Sequence, residues 1–340
     1  MVRVENKYLI FDSPKIINCK YFAKKVLYFF FSQFYRVSYC LNRPAIKRNP
    51  RYKVSICAIF KDEASYLKEW LEFHKIVGVE HFYLYNNFSS DNYLEILTPY
   101  IANKEVTLID WPVPQGQMMA YKDCVEKYRD ESQWIGFIDL DEFVCPNEHD
   151  TITDFLESFK NRPIVIIYWK YFGSSGLVER KKDSLVTESF VSCWYKYADI
   201  GKCFYNTDYD YAADMKGNEW MHYRWGKCNN HRLPPVNVFD KVCMFGFNPV
   251  HKNKMPIQIN HYLLKSYNEF KQKKIKGDAC FELNNHDERY FLEHEHFSQS
   301  ADFHILRYVT TLKIKMKDDG GGYVSVVKFY AVSNADREAA

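Results

Sequence analysis

The run IGFIDLDEF, residues 135–143, decides the fold, because it takes an apolar strand directly into three carboxylates. Alternate residues of a strand point to one face, so the pattern predicts that Asp139 and Asp141 point the same way where the strand ends. Clustered carboxylates repel one another and are tolerated mainly where a cation neutralises them. The run therefore predicts a divalent-metal site at Asp139 and Asp141, where the metal would bind a diphosphate.

Strands and helices alternate on both sides of this run. Short apolar runs predict strands at residues 54–60, 82–86, 105–110, 134–140 and 164–169. Helical periodicity predicts helices at 66–77, 91–101, 115–129 and 151–159, and a basic helix at 262–276. Alternation at this spacing predicts an α/β fold with a mostly parallel sheet flanked by helices, in which ligands bind at the carboxyl ends of the strands.

Composition divides the chain into three segments. Residues 1–53 form a basic, aromatic N-terminal arm, residues 54–278 the α/β domain, and residues 279–340 a C-terminal extension. Within the domain, residues 170–260 lose the strand–helix alternation and predict an irregular region.

The arm carries twelve Lys and Arg against two acidic residues, whereas residues 54–340 carry 34 against 41. Lys24, Lys25 and Arg36 bracket an aromatic run at 26–35, which is too short to span a bilayer. Two interpretations stay open: a strip on an anionic membrane surface, or a core helix with solvated basic flanks. We expect no nucleic-acid partner.

Ten scattered cysteines without a Cys-x-x-Cys pair favour reduced thiols, and no signal peptide is recognisable. Together with the basic arm, these features predict a cytoplasmic protein peripheral to the inner face of the membrane. That context suggests the assembly of surface polysaccharide or lipopolysaccharide.

Polar side chains follow the earlier strands. Asp62 and Glu63 follow the first, residues 86–91 the second, and Asp110 the third. These residue types also form turns and helix caps, and for Asp91 capping of its own helix is the stronger interpretation. Their loops nevertheless lie at the edge where a nucleoside would need polar recognition.

His261 ends a short apolar strand and suits a third metal ligand, although a half-buried structural histidine fits the pattern equally well. His222 competes for the same role. Lys265, one helical turn beyond His261, would face a diphosphate. The other lysines of that helix are expected to be solvated: Lys271, Lys273, Lys274 and Lys276.

Residues 54–278 resemble glycosyltransferase family 92 (DUF23), within the GT-A superfamily of nucleotide-diphospho-sugar transferases. The matching segments follow in order: 60–63 (FKDE), 67–70 (LKEW), 85–87 (YNN), 90–92 (SDN), 115–117 (QGQ), 120–124 (AYKDC), 139–143 (DLDEF), 169–176 (WKYFGSSG) and 259–262 (INHY). One stretch departs from the family pattern, since residues 201–207 read GKCFYNT instead of a GK[ST]IVRP-like run.

The resemblance implies a GT-A (Rossmann-like) fold with an irregular acceptor-side region and a helical C-terminal part. It implies inverting transfer from a UDP-sugar, with galactose as the best candidate, to a glycan or glycolipid, using Mn²⁺ or Mg²⁺. The metal ligands would be Asp139, Asp141 and His261. Donor-binding candidates are Lys61, Asp62, Glu63, Asn87, Asp91, Gln117, Asp123, Asp139 and Lys265. Acceptor-binding candidates are Trp169, Phe172 and Gly173.

The expected mechanism is in-line displacement, in which the metal and Lys265 hold the diphosphate and an acidic side chain deprotonates the acceptor. Spacing does not identify this base: Asp302 and Glu188 are candidates, as are Asp208 and Asp214. Two other classes stay open at this stage, a metal-dependent phosphoesterase and a catalytically inactive carbohydrate-binding or scaffold protein.

Overall fold

The computed structural model describes residues 19–45, 49–212, 219–244, 254–276 and 287–317. The helices are α1 (Cys19–Leu41), α2 (Ala64–Ile76), α3 (Tyr93–Ala102), α4 (Gln117–Tyr128), α5 (Ile152–Glu157), α6 (Val186–Ser189), α7 (Tyr267–Lys276), α8 (Glu288–Phe297) and α9 (Leu306–Lys317). The strands are β1 (Tyr52–Phe60), β2 (His81–Asn86), β3 (Val106–Asp110), β4 (Ser132–Phe137), β5 (Glu142–Pro146), β6 (Ile164–Tyr171), β7 (Ser192–Cys193), β8 (Gly201–Asn206), β9 (Asp210–Tyr211), β10 (Gly226–Cys228), β11 (His231–Leu233), β12 (Val236–Asn237), β13 (Ile257–His261) and β14 (Ser300–Ala301).

The main sheet has the strand order β3-β2-β1-β4-β8-β6-β13-β5, and β12 pairs with β6 outside this path. β3, β2, β1 and β4 are parallel, whereas β8 runs antiparallel to both β4 and β6. β13 is parallel to β6 and antiparallel to β5. The predicted α/β fold with a mostly parallel sheet is therefore confirmed.

Helices cover both faces of the parallel half. Phe82 of β2 packs against Trp70 of α2, and the next residue, Tyr83, stacks on Tyr128 of α4. Because successive strand residues point to opposite faces, α2 and α4 lie on opposite sides of the sheet. This double cover explains why β1 and β2 read as continuous apolar runs, since nearly every one of their residues is buried.

The predicted fourth strand is too long. β4 ends at Phe137, and residues 138–141 form a turn in which the Glu142 amide donates to the Asp139 carbonyl at 3.0 Å. The chain then reverses, because β5 pairs antiparallel with β13. Asp139 and Asp141 are thus turn residues, and the argument that alternate residues of one strand bring them together is wrong.

Helix α1 is part of the N-terminal arm, and one side of this helix packs against the domain. The Tyr28 hydroxyl donates to the Val242 carbonyl and the Tyr39 hydroxyl to the Pro234 carbonyl, both at 2.8 Å. The rings of Phe31 and Tyr35 meet the Trp225 ring edge-on. Among the described helices, none is long and apolar enough to cross a membrane.

The C-terminal helices also belong to the packed body. α9 packs on α2 and α6, and the short strand β14 pairs with β7. Eight cysteines have described side chains and none of the eight forms a disulfide; seven are buried, while Cys40 on α1 is exposed.

Candidate active site

The turn at residues 138–141 is held from two sides. The Trp70 indole on α2 donates to the carbonyls of Asp139 and Glu142, at 3.1 and 2.9 Å. From the other side, the Tyr262 amide donates to the Asp141 carbonyl at 2.8 Å. These bonds fix the backbone, so the carboxylates are presented in one orientation at the carboxyl end of β4.

An acidic cluster forms around this turn; we use the name for Asp139, Asp141, Glu142 and His261. Pairing of β5 with β13 sets Glu142 directly opposite His261. Ligand atoms of Asp141, Glu142 and His261 all lie within 4.8 Å of one another, and in the described part of the chain Asp139 is not in this group. The structure thus brings together Asp141 and His261, as predicted, and adds Glu142.

Two lysines neutralise the cluster. Lys202, on β8, lies 2.6 Å from Asp139 Oδ2 and 3.6 Å from Glu142 Oε2, with its side chain fully buried. Lys273, on α7, pairs with Asp141 Oδ2. The expectation that Lys273 is solvated is wrong, because residues 262–266 form a turn and α7 begins only at Tyr267.

The surroundings shift the pKa values of Asp141, Glu142 and His261 in different ways. Burial alone would raise the pKa of Asp141, but Lys273 and His261 outweigh it and hold that pKa well below its usual range. Burial raises the pKa of Glu142 well above normal; Lys202 opposes this, and the negative charges of Asp139 and Asp141 add to it. Burial lowers the pKa of His261, which keeps a neutral imidazole available as a ligand.

The cluster has unsatisfied buried atoms. Glu142 Oε1 and His261 Nδ1 are buried without a hydrogen-bond partner and lie 4.0 Å apart. Two carboxylates and an imidazole are a donor set that divalent cations accept. By contrast, Asp139 is already engaged: Oδ1 accepts from Gln117 and Tyr121, and Oδ2 binds Lys202. The residues present fit a divalent cation at Asp141, Glu142 and His261.

Trp169 forms one wall beside the cluster. Its ring centroid lies 4.8 Å from that of His261 and 4.9 Å from that of His222. His222 bonds through Nδ1 to the Gly201 carbonyl at 2.8 Å, and burial lowers its pKa to about 4. The competing histidine therefore supports the Trp169 wall, and it lies outside the metal-type group found among the described residues.

Phe172 and Gly173 do not present an open acceptor surface. Phe172 is 1% exposed and its ring packs on Tyr262, so the predicted stacking on a sugar is wrong for this residue. A Cβ at Gly173 would lie 2.4 Å from Ser298 Oγ and 2.7 Å from Glu295 Oε1. Gly173 thus allows close approach of the C-terminal segment to this strand end.

The predicted donor loops mainly bond to each other. Asp62, at φ 52°, accepts from the amides of Ser90 and Asp91. The Asn87 side-chain Nδ2 donates to the carbonyls of Trp111 and Val113. The prediction that Asp91 caps its own helix, α3, is wrong, because the cap residue of α3 is Asn92. Asp91 caps α2 instead: its Oδ2 accepts from the backbone amide of Ala64, the first residue of α2. Its Oδ1 is buried without a hydrogen bond.

Of the remaining predicted donor-binding residues, some lie at the acidic cluster and others lie away from it. Gln117 reaches Asp139 at 2.8 Å, whereas Asp123 binds Tyr85 and Lys127. Lys265 is buried with its ammonium 3.6 Å from the Tyr66 ring centroid, and burial lowers its pKa while Glu63 and Asp141 oppose that change. Lys61 is exposed. A cavity of about 460 Å³ adjoins this corner and includes Tyr66, Arg180 and Glu269 in its lining.

The candidate bases have other partners. Glu188 accepts from the Leu185 amide and pairs with Lys313 on α9. Asp302 binds His304 and Gln258, and Gln258 points to the opposite face of β13 from His261. Their assignment as bases finds no support in these contacts. Asp208 follows β8 in a turn, and Asp214 lies outside the described residues.

The sheet order, with a cluster of carboxylates and a histidine at the carboxyl ends of β4 and β13, defines an α/β protein with a metal-type site at its strand ends. Residues 51–314 match the sequence profile of glycosyltransferase family 92, and the chain belongs to that family. The resemblance to this family seen in the sequence is thereby confirmed.

Relatives match parts of this region. A glycosyltransferase family 92 protein of Oryza sativa subsp. japonica is 28% identical over 144 residues, covering 41% of this chain and 25% of that protein. A β-1,4-galactosyltransferase of Caenorhabditis elegans is 30% identical over 109 residues, covering 28% of this chain and 26% of that protein. A galactan β-1,4-galactosyltransferase of Arabidopsis thaliana is 30% identical over 104 residues, covering 28% of this chain and 21% of that protein. The chain thus spans about a quarter or less of each of these relatives.

Among solved structures, S. aureus TarS aligns with 46% of this chain and 47% of its own, with a TM-score of 0.32 and 13% identity.

Proposed function

We propose that this chain transfers a hexose, with galactose as the best candidate, from a UDP-sugar to a hydroxyl of a glycan or glycolipid with inversion. Family 92 membership supports glycosyl transfer over the phosphoesterase and scaffold alternatives. Two relatives are named as β-1,4-galactosyltransferases, which supports galactose. The UDP donor follows from the family resemblance.

The observation that carries the proposal is the buried, unsatisfied pair of Glu142 Oε1 and His261 Nδ1 beside Asp141. Asp141, Glu142 and His261 would hold a divalent cation such as Mn²⁺ or Mg²⁺. When bound, that ion would stabilise the negative charge of the departing diphosphate. This ligand set replaces the predicted one at a single position, with Glu142 in place of Asp139.

The cationic side chains have separable roles. Lys202 holds Asp139 in place from beneath the turn, because it is fully buried. Lys273 is partly exposed and Lys265 adjoins the same corner, so both are positioned to attract a diphosphate. The Trp169 ring lies 4.8 Å from the His261 ring and would contact the acceptor beside the cluster.

The test is metal-dependent release of UDP from UDP-galactose, UDP-glucose and UDP-N-acetylglucosamine by the purified chain. We expect turnover with Mn²⁺, loss of turnover with EDTA, and a loss of about 10³-fold or more in Asp141→Asn, because several kcal/mol of charge stabilisation depend on the metal. Glu157→Gln, on the exposed end of α5, is the matched control and should retain full activity.

The outcomes separate the three classes. Release of UDP and transfer of the sugar support the proposal. Release of inorganic phosphate or sugar phosphate would instead support a phosphoesterase. Metal-independent UDP binding without turnover on any of the three donors would support the scaffold alternative. Full activity in Asp141→Asn would contradict the metal assignment.

A further inference from the structure

Helix α1 carries an uninterrupted apolar face that the rest of the described chain leaves uncovered. Its members are spaced by three and four residues, which places them on one side of a helix; they are Leu27, Phe30, Phe34, Val37 and Leu41. Each is between 59% and 75% exposed, and Phe29 and Val26 widen the face at its N-terminal end. Aliphatic and aromatic residues exposed together in this way mark an interaction surface.

The opposite face of α1 fixes this orientation. Tyr28, Phe31, Tyr35 and Tyr39 all point into the domain, where they contact Val242, Trp225 and Pro234. Arg162 also lies over the Tyr39 ring, 4.7 Å from its centroid. Because four aromatic anchors hold the helix, the exposed face cannot rotate inward to bury itself.

The charge beside this face is positive. α1 contains Lys20, Lys24, Lys25 and Arg36 and no acidic residue. Lys25 and Arg36 are exposed along the flank, and Arg43 is exposed just after the C-terminal end. The neighbouring strand β11, which packs against α1, adds the exposed side chain of Arg232. A partner for this surface must accept apolar side chains and complement positive charge.

We propose that α1 lies flat on a bilayer that contains anionic lipids, with Leu27, Phe30, Phe34, Val37 and Leu41 inserted among the acyl chains. Exposed apolar residues flanked by Lys and Arg are the features of an interfacial helix. A second copy of the chain fits less well, because two such helices would bring like charges together without acidic partners. Tyr39 of α1 contacts Pro234 and Arg162 near the amino end of β6, whereas the acidic cluster lies at the carboxyl edge of the sheet, so this surface is separate from the proposed catalytic region.

The experiment is flotation of the full chain with vesicles of phosphatidylcholine alone or mixed with phosphatidylglycerol. We expect the chain to float with the mixed vesicles and to bind neutral vesicles weakly. A variant with Leu27→Ser, Phe30→Ser and Phe34→Ser should lose binding by about tenfold or more, because it removes most of the insertable apolar area. Lys25→Glu with Arg36→Glu should abolish the preference for anionic vesicles.

The matched control changes three exposed apolar residues elsewhere, Val178→Ser, Ile275→Ser and Leu292→Ser, and should bind as the unaltered chain does. Unchanged thermal midpoints would show that all variants fold, since every altered side chain is exposed. The proposal is overturned if the unaltered chain does not float, or if the triple α1 variant floats equally. It is also overturned if analytical ultracentrifugation shows a dimer that the triple variant dissociates while vesicles bind neither form.

Discussion

Two polar regions share the carboxyl edge of the main sheet and differ in how completely their atoms are paired. The turn network comprises Asp62, Asn86, Asn87 and Ser90, after β1 and β2. Its side chains bond to one another and to the neighbouring backbone, as when Asn86 donates to Asp110 and accepts from Ser89. The acidic cluster, after β4 and β13, keeps Glu142 Oε1 and His261 Nδ1 buried and unpaired.

This difference separates structural polarity from functional polarity. A buried polar atom without a partner costs free energy, so folded proteins retain few of them. In the turn network, polar residues hold two loops together. In the acidic cluster, the unsatisfied atoms converge on one point, which is the pattern expected where a ligand completes the site. Asp91, which contacts the turn network through its backbone amide, has one carboxylate oxygen capping α2 and the other buried without a hydrogen bond.

The largest effect should come from Lys202→Met, which leaves Asp139 and Glu142 without their buried counter-charge. Removing one partner of a buried ion pair destabilises by about 3–5 kcal/mol. We expect a loss of that size in the free energy of unfolding, measured by urea titration in EDTA. Lys254→Met, which removes an exposed pair with Glu148, should change it by less than about 0.5 kcal/mol. Equal effects of the two changes would contradict the assignment of Lys202 as the buried counter-charge of Asp139 and Glu142.

Glu142→Gln tests whether the unpaired oxygen belongs to a metal site. Loss of one charged ligand should weaken Mn²⁺ binding by at least about 10–100-fold, the range seen even for residues that only support metal ligands. Isothermal titration calorimetry measures this directly. Glu148→Gln, at an exposed position two residues beyond β5, is the matched control. An unchanged Mn²⁺ affinity in Glu142→Gln would return Asp139 to the ligand set.

Asp62→Ala tests the turn network. The change removes an acceptor for the Ser90 and Asp91 amides and places alanine at a left-handed backbone position. We expect a loss of about 1–2 kcal/mol in the free energy of unfolding, with Mn²⁺ affinity unaltered. Asp62→Asn, which keeps an acceptor oxygen and tolerates this backbone, should be close to neutral. If Asp62→Asn lowered the free energy of unfolding as much as Asp62→Ala does, the stabilisation could not come from the hydrogen bonds that Asp62 accepts.

The smallest effect concerns Asp302, which belongs to neither region. Its bond to His304 raises the pKa of that histidine, and the pKa of Asp302 is lowered because His304 and Gln258 outweigh burial. The pair therefore stabilises most between the unfolded values of 3.8 and 6.5 and weakens as pH rises through the folded pKa of His304. Since His304 is half exposed, His304→Ala should cost about 0.5 kcal/mol near pH 5 and less near pH 8. Urea titrations showing the same cost at both pH values would contradict this assignment.

Much of the parallel half could be predicted, because its elements follow from local periodicity. Predicted strands at 54–60 and 82–86 correspond to β1 (Tyr52–Phe60) and β2 (His81–Asn86), and the helix at 115–129 to α4 (Gln117–Tyr128). Each of these elements packs against buried neighbours, and the residues that face those neighbours must be apolar. The apolar periodicity of the sequence therefore indicates the element. The end of β4 was missed because Ile138 and Leu140 continue the apolar pattern through a turn.

The cluster was predicted only in part, since it depends on pairings distant along the chain. Asp141 and His261 could be proposed from residue type and strand ends. Glu142 gained its position from the β5–β13 register, which no local pattern encodes. Lys202 carried one signal that went unused: a lysine within an otherwise apolar strand requires a buried anion nearby.

Cys40 gives α1 a chemical handle. It is the exposed member of the eight thiols with described side chains, and it lies on the helix whose lipid contact is in question. With Cys19 and Cys280 replaced by serine, a maleimide-linked, polarity-sensitive fluorophore should attach preferentially there, because thiol reagents require access. The emission of this fluorophore would then report, in real time and without substrate, whether the helix moves from water into the acyl-chain region of a bilayer.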